Sequence, residues 1–448
     1  MNETKTLSFQ LSAINSLKAE DIRQLKLLII DFFAATFAGY KQNRNFNSII
    51  ENIVFAQGGS NDSSVFKNGR KLPARSAAFM NSVYGHGAEL DDGNKKAAGH
   101  AGVHVIPAVF ALAEKLGSTN NDVLVALATG YEAYIRISSS VMPGMVKRGF
   151  HSTGMTGTLA CAAACSRLYN LDAQGIEDAI ALATTITGGL LSYGDSRPVI
   201  KPLNPAKAAE NGVLAATLVS KGMQGPTEAL EGPNGWFHAV TDEVHKEYLN
   251  GMDHLLLHDC YFKMYPSCRH THCGIDAAIL LHAKVNVDQI KAVNVYIYPN
   301  AIKLAGIKIP KNQDETKFSI QYTLACALTN GTYGISDMNV STIAPKILAL
   351  IDKINLIPDE TMENREKGIR GTRVEVVAEN GKNIEETVLV PRGDPENPLN
   401  RDDIIEKLRV CADGQSDEHE LNLLVKAIEN IEGDGTFVNP MTVLGGAL

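Results

Sequence analysis

Through about the first 260 residues the chain repeats one texture, apolar residues at helical spacing broken by short polar turns. A chain patterned this way buries its apolar stripes helix against helix, which sets the architecture before any motif is considered. "AEDIRQLKLLIIDFFAATFAGY" is apolar nearly all round, as an interior helix would be. Its apolar part is shorter than a bilayer requires and carries Asp31 in the middle, so it reads as a buried helix and not a membrane span. "IPAVFALAEKLG" sets Pro107 in a first turn and Gly117 at the end, which predicts a helix starting at that proline. "NNDVLVALATGYEAYIRISSS" and "DAQGIEDAIALATT" continue at helical spacing, the latter with Asp172 as N-cap. "TGMTGTLACAAACSRLYNL" and "AKAAENGVLAATLVSKG" are rich in Gly and Ala, which lets neighbouring helices approach closely.

The texture changes after about residue 265. "IKAVNVYIYP" alternates as a strand does, and "TRVEVVAENGKNIEETVLVP" reads as a hairpin about Asn380-Gly381. "DETKFSIQYTLACALTNG" interposes a helix, and from "NPLNRDDIIEKLRVC" onward the chain is helical again. At 448 residues the chain exceeds one ordinary core. The fold class expected is mainly α: a large all-helical domain from both chain ends (1–265 completed by 405–448) and a smaller inserted α+β lid domain (266–404).

A formal net charge of −8 without a basic run argues against a nucleic-acid surface, so an anionic partner would need a local cluster of Lys, Arg and His. Seven cysteines, an odd number, fit a reducing cytoplasm better than a disulfide framework, and the N-terminus lacks the basic-then-apolar order of a signal peptide. The expectation is a cytoplasmic protein with no membrane partner. No G-x-G-x-x-G follows a strand, and neither a P-loop nor a G-x-S-x-G elbow occurs; "TGGLLSYGDSRP" is glycine-rich but follows a helix.

Against this background one stretch stands out. "GHGAELDDGNKKAAGHAGVHVIP" gathers His86, Glu89, Asp91, Asp92 and His100 just ahead of an apolar helix. Helix capping uses one or two such residues, whereas five clustered acids and imidazoles push one another's pKa values apart, the usual preparation for acid and base work. "GFHSTG" places His151 before an Ala-rich helix, where the plain reading is a backbone hydrogen bond. "RPVIKPLNPAKAAENG" carries Lys201 and Lys207; lysines are usually solvated, but Pro202 and Pro205 stiffen the loop that aims Lys201. "FKMYPSCRHTHCGIDAA" brings Lys263, Tyr265, Ser267, Cys268, Arg269, His270, His272 and Cys273 together where the texture changes. Its Cys and His spacing is not that of paired ligands, and Cys161 and Cys165 read as small core residues, so no metal site is expected.

Taken in order, "HGAELDDG…GHAGVHVIPA", "GFHSTG", "KPLNPAKAAENGVLAA", "GPTEALEGPNGWF" and "YPSCRHTHCGIDAA" resemble the MmgE/PrpD family over most of the chain. That family includes 2-methylcitrate dehydratase, cis-aconitate decarboxylase and iminodisuccinate epimerase. The resemblance implies a cofactor-independent, homodimeric enzyme with its active site in a cleft between a helical domain and a lid. By position His86, Asp91, Asp92, His100, His151, Lys201 and Lys263 match the family's motif residues. Glu89 stands where the family usually has Asp, Gly93 where it has Thr and Ala101 where it has Pro. These departures keep membership intact and leave the substrate and reaction open.

The family's reactions build charge beside a carboxylate as a proton, hydroxide or carbon dioxide leaves. Lys201 and Lys263 are the expected cations, and His86, Asp91 and Arg269 complete the substrate-binding set, Arg269 as a two-pronged carboxylate clamp or as an ion pair within the fold. His151 and His100 are expected as acid and base, with Glu89 or Asp92 tuning an imidazole; which is which stays open. The leading expectation is a hydro-lyase on a small di- or tricarboxylate such as 2-methylcitrate. An epimerase or racemase is next, then a decarboxylase, and a non-enzymatic carboxylate binder last.

Overall fold

The computed structural model describes residues 2–193, 198–252, 254–364 and 368–445. The fold is mainly α and divides into two units, Met1–Tyr261 with Asn400–Leu448, and Phe262–Leu399. Tyr261 still pairs with Gly93 in the first unit, whereas the Phe262 N–H donates to the Gly393 carbonyl at 2.8 Å in the second. The chain therefore changes unit across one peptide, a few residues before its texture does.

The first unit is built from helices. Ala19–Gln42, buried along its second half, packs against Ala74–His86 and Arg401–Ala412. Asn120–Ser140 starts behind Thr119, whose hydroxyl accepts from the Asp122 N–H at 3.1 Å while Asp122 accepts from the Thr119 N–H at 3.0 Å. Asp172 caps Ala173–Ile186 as its position suggested, accepting from the Gly175 N–H at 2.9 Å. Ser152–Leu168 and Leu203–Ser220 pack so closely that a methyl on Gly212 would overlap the Cβ of Cys161. Here the small residues do what their spacing suggested.

One expected boundary is corrected. The helix containing "IPAVFALAEKLG" does not begin at Pro107 but at Gly102, and Pro107 lies inside it. The Gly102 N–H is capped by the carboxylate of Asp92 at 3.1 Å, ten residues earlier in the chain, so the start is set by a tertiary contact that local propensity cannot report. The other end follows the sequence, with Gly117 at φ 65° closing the last turn.

In the second unit a four-stranded sheet has the order Asn383–Val388, Thr372–Ala378, Ile290–Ile297, Ile354–Pro358. The first two strands are the hairpin expected about Asn380-Gly381, antiparallel with Val376 opposite Ile384 and Gly381 at φ 80°. Ile290–Ile297 runs antiparallel to Thr372–Ala378 and parallel to Ile354–Pro358. His272–His282 and Ile320–Asn330 join it in a core of Ile275, Leu281, Val293, Val295, Leu324 and Val374.

Candidate active site

Three chain segments meet in the first unit, each brought there by the end of a helix. Ala74–His86 ends on His86, and residues 87–101 then carry Glu89, Asp91, Asp92 and His100 to the start of Gly102–Leu116. His151 is the N-cap of Ser152–Leu168, and Lys201 stands just before Pro202, the N-cap of Leu203–Ser220. Thr153 accepts from the His100 N–H at 3.4 Å, and Asn204 reaches the His151 ring at 3.0 Å, so the N-termini of all three helices carry residues of one cluster. Partial positive charge at helix N-termini favours anions there.

At the centre lies Asp91, 0% exposed. Its Oδ2 meets His86 Nδ1 at 2.9 Å and His100 Nδ1 at 3.1 Å. His100 Nδ1 also lies 2.7 Å from the main-chain carbonyl of Asp92. A carbonyl only accepts, so His100 Nδ1 carries a hydrogen, and in the neutral ring Nε2 holds the lone pair. Burial pushes the Asp91 carboxyl up, but the charges and hydrogen bonds of His86 and His100 outweigh it and hold the group well below the usual carboxylate range. Burial, with the Lys201 charge adding, takes His86 down to about 4 against the opposing pull of Asp91.

His151 has the opposite arrangement. The Asn204 side-chain amide N lies 3.0 Å from His151 Nδ1 and 3.3 Å from the Leu190 carbonyl. Only its N–H face suits a carbonyl, so the amide donates to both, Nδ1 of His151 accepts, and the ring hydrogen sits on Nε2. Burial, then the charges of Lys201 and His86, hold His151 well below its ordinary value and keep it neutral. The rings of His100 and His151 lie 5.0 and 6.4 Å from that of His86. The cluster thus holds one imidazole with a lone pair at Nε2 and one with a hydrogen there. Lys201 pairs with Glu89, whose carboxylate is 3.8 Å from His86 Nε2.

By type and spacing His86, Asp91 and His100 can also hold a metal ion, their ligand atoms lying within 4.8 Å of one another. The sequence spacing did not single this group out. Both Nδ1 atoms already serve as donors, to Asp91 and to the Asp92 carbonyl, and a metal on those nitrogens would have to displace both hydrogens.

Asp92 stands one residue from the centre but faces elsewhere, capping Gly102 beside Tyr131. Burial, then the charges of Asp31 and Asp91, push its carboxyl well above the usual range. A methyl on Gly102 would overlap both the Asp92 carboxylate and the Tyr131 hydroxyl, so this glycine is required by a close approach. Neither Tyr131 nor Asn204 was singled out from the sequence; only the tertiary contacts mark them. His104 lies against Cys161 at 3.4 Å and is pushed down to about 3 by burial. Lys263 and Arg269 belong to the second unit, where Lys263 is buried and Arg269 pairs with Asp394. The 194–197 part of the glycine-rich "TGGLLSYGDSRP" lies outside the described residues.

A buried carboxylate flanked by imidazoles, with a lysine–glutamate pair beside them, is an arrangement chemically able to move protons and to hold an anion. The models of the MmgE/PrpD N-terminal domain and C-terminal domain match residues 10–249 and 265–430. The chain belongs to the MmgE/PrpD family. It is 26% identical to the human cis-aconitate decarboxylase over 92% of this chain and 87% of the relative. It is 25% identical to the cis-aconitate decarboxylase of Aspergillus terreus, over 94% and 90%, and to that of Mus musculus, over 94% and 88%. Among the described residues no helix is long and apolar enough to cross a membrane.

Proposed function

We propose that the protein is a cofactor-independent lyase acting on a small polycarboxylate, with a dehydration as the reaction the site supports best. The observation that carries this reading is the opposite tautomers of His100 and His151, because elimination of water needs a base and a proton donor together. His100 Nε2 takes the α-proton, and Asp91, 3.1 Å behind it, neutralises the imidazolium that forms. The Nε2–H of His151, neutral at a helix N-terminus, and the Lys201 ammonium meet the departing hydroxyl and the charge that builds on the neighbouring carboxylate.

A second reading, decarboxylation of a cis-aconitate-like acid, is favoured by the activity named for the relatives. It needs a proton returned to carbon after carbon dioxide leaves, for which the same donors serve. Proton NMR in heavy water with 2-methylcitrate, citrate, cis-aconitate and iminodisuccinate separates the readings. New vinyl signals from a hydroxy acid support dehydration. Vinyl product from cis-aconitate with loss of carbon dioxide establishes decarboxylation. Deuterium entering an α-carbon without elimination means epimerisation, and silence across the panel overturns the substrate class.

A further inference from the structure

Asp31 stands in the middle of the apolar helix Ala19–Gln42, and nothing in the chemistry above uses it. Its carboxylate is 0% exposed and meets the ammonium of Lys407, from helix Arg401–Ala412, at 2.5 Å. The same ammonium donates to the main-chain carbonyl of Leu90 at 2.7 Å. Leu90 joins the two carboxylates that organise the site: Glu89, paired with Lys201, and Asp91, which lies against the Nδ1 atoms of His86 and His100. Glu89 itself sits at φ 56°, a left-handed conformation that a residue with a Cβ adopts only when its surroundings impose it.

A buried ion pair is a poor way to add stability, since desolvation of both charges cancels most of their attraction and an apolar pair of similar volume does as well or better. An apolar pair, however, could not hold a carbonyl. We infer that the Asp31–Lys407 pair is a positioning device for the proposed active site: Lys407, held by Asp31, grips the Leu90 carbonyl and so keeps the strained Glu89 turn and the Asp91 carboxylate where they orient Lys201, His86 and His100. Helix Arg401–Ala412 is thereby a working part of a cluster whose other members all lie before residue 205. This inference rests on the reading of the cluster as an active site.

The test is the double substitution D31L/K407M in the full chain, which removes both charges together and leaves neither unpaired. The expected result is a melting temperature near that of the wild type, kcat lowered about tenfold or more, and KM changed less than about threefold. The ring ¹⁵N spectra of His86 and His100 should lose their single Nδ1–H tautomer, a change that a purely structural role for the pair would not produce. That readout needs no turnover, so it decides the inference even if every acid in the panel is refused and the functional reading falls. If D31L/K407M does not fold, D31N/K407M, closer in shape and equally uncharged, takes its place. A folded variant with unchanged kcat and unchanged ring spectra overturns the inference.

Discussion

Replacing Asp91 by Asn tests the core of the proposed chemistry. The substitution keeps size and shape but removes the charge on which both imidazoles rest. Once His100 has taken a proton, an ion pair exists with 3.1 Å between Nδ1 and Oδ2. At an effective permittivity of about 20, opposite unit charges at that separation attract by roughly 5 kcal/mol. Part of this survives in the D91N variant as a neutral hydrogen bond, leaving a loss of about 3–5 kcal/mol confined to the protonated state. Such a loss lowers kcat about 10²- to 10⁴-fold. The assay is the initial rate of vinyl-proton appearance with whichever acid the NMR panel identifies, alongside a melting curve to show that D91N is folded. A folded D91N enzyme with kcat within about tenfold of wild type would refute the argument, because Asp91 would then not be stabilising a cationic His100.

Two further outcomes follow from the same geometry. In N204D a carboxylate replaces the amide that donates to His151 Nδ1, so the ring hydrogen moves to Nδ1 and the imidazolium is favoured. Activity should then decline as pH rises through the new His151 pKa, and a profile superimposable on wild type would sink the tautomer assignment. Acid stability should report the buried neutral histidines. His86 and His104 are lowered by burial to about 4 and about 3. In the unfolded chain they titrate near 6.5, so it binds protons first as pH falls. Their contribution is complete above about pH 6.5 and drains away toward about pH 4 and 3, with His86 alone accounting for roughly 3 kcal/mol. Asp91, held low, begins to lose its share only below about pH 4, which separates it from the histidines. Urea midpoints at pH 8, 6 and 5 should fall steadily; a flat series would mean that these rings are charged in the fold.

Much of the architecture was legible because its signals are local. Helical spacing marked Asn120–Ser140 and Ala173–Ile186, and Asn380-Gly381 marked the hairpin. The helix start at Pro107 was misplaced because the true cap is Asp92, a carboxylate supplied by the preceding loop. The candidate site was legible in part for the same reason. His86, Glu89, Asp91, Asp92 and His100 crowd one stretch, and crowding of ionisable groups is visible without a fold.

What each residue does there was not visible. A tautomer depends on what lies against the far nitrogen, and for His151 that is Asn204, 53 residues on. Asp92 looks like its neighbour Asp91 in the sequence, yet one carboxylate is shared by two imidazoles and the other caps a helix beside Tyr131. Asp31 reads in the sequence as an interruption of an apolar helix, and its partner Lys407 lies 376 residues later. The sequence by itself determined the mainly helical fold, the family resemblance and the list of reactive side chains, because periodicity and composition are properties of the chain. Only the tertiary structure decided which nitrogen bears a hydrogen and which carboxylate is charged, because those depend on burial and on partners that folding alone brings together.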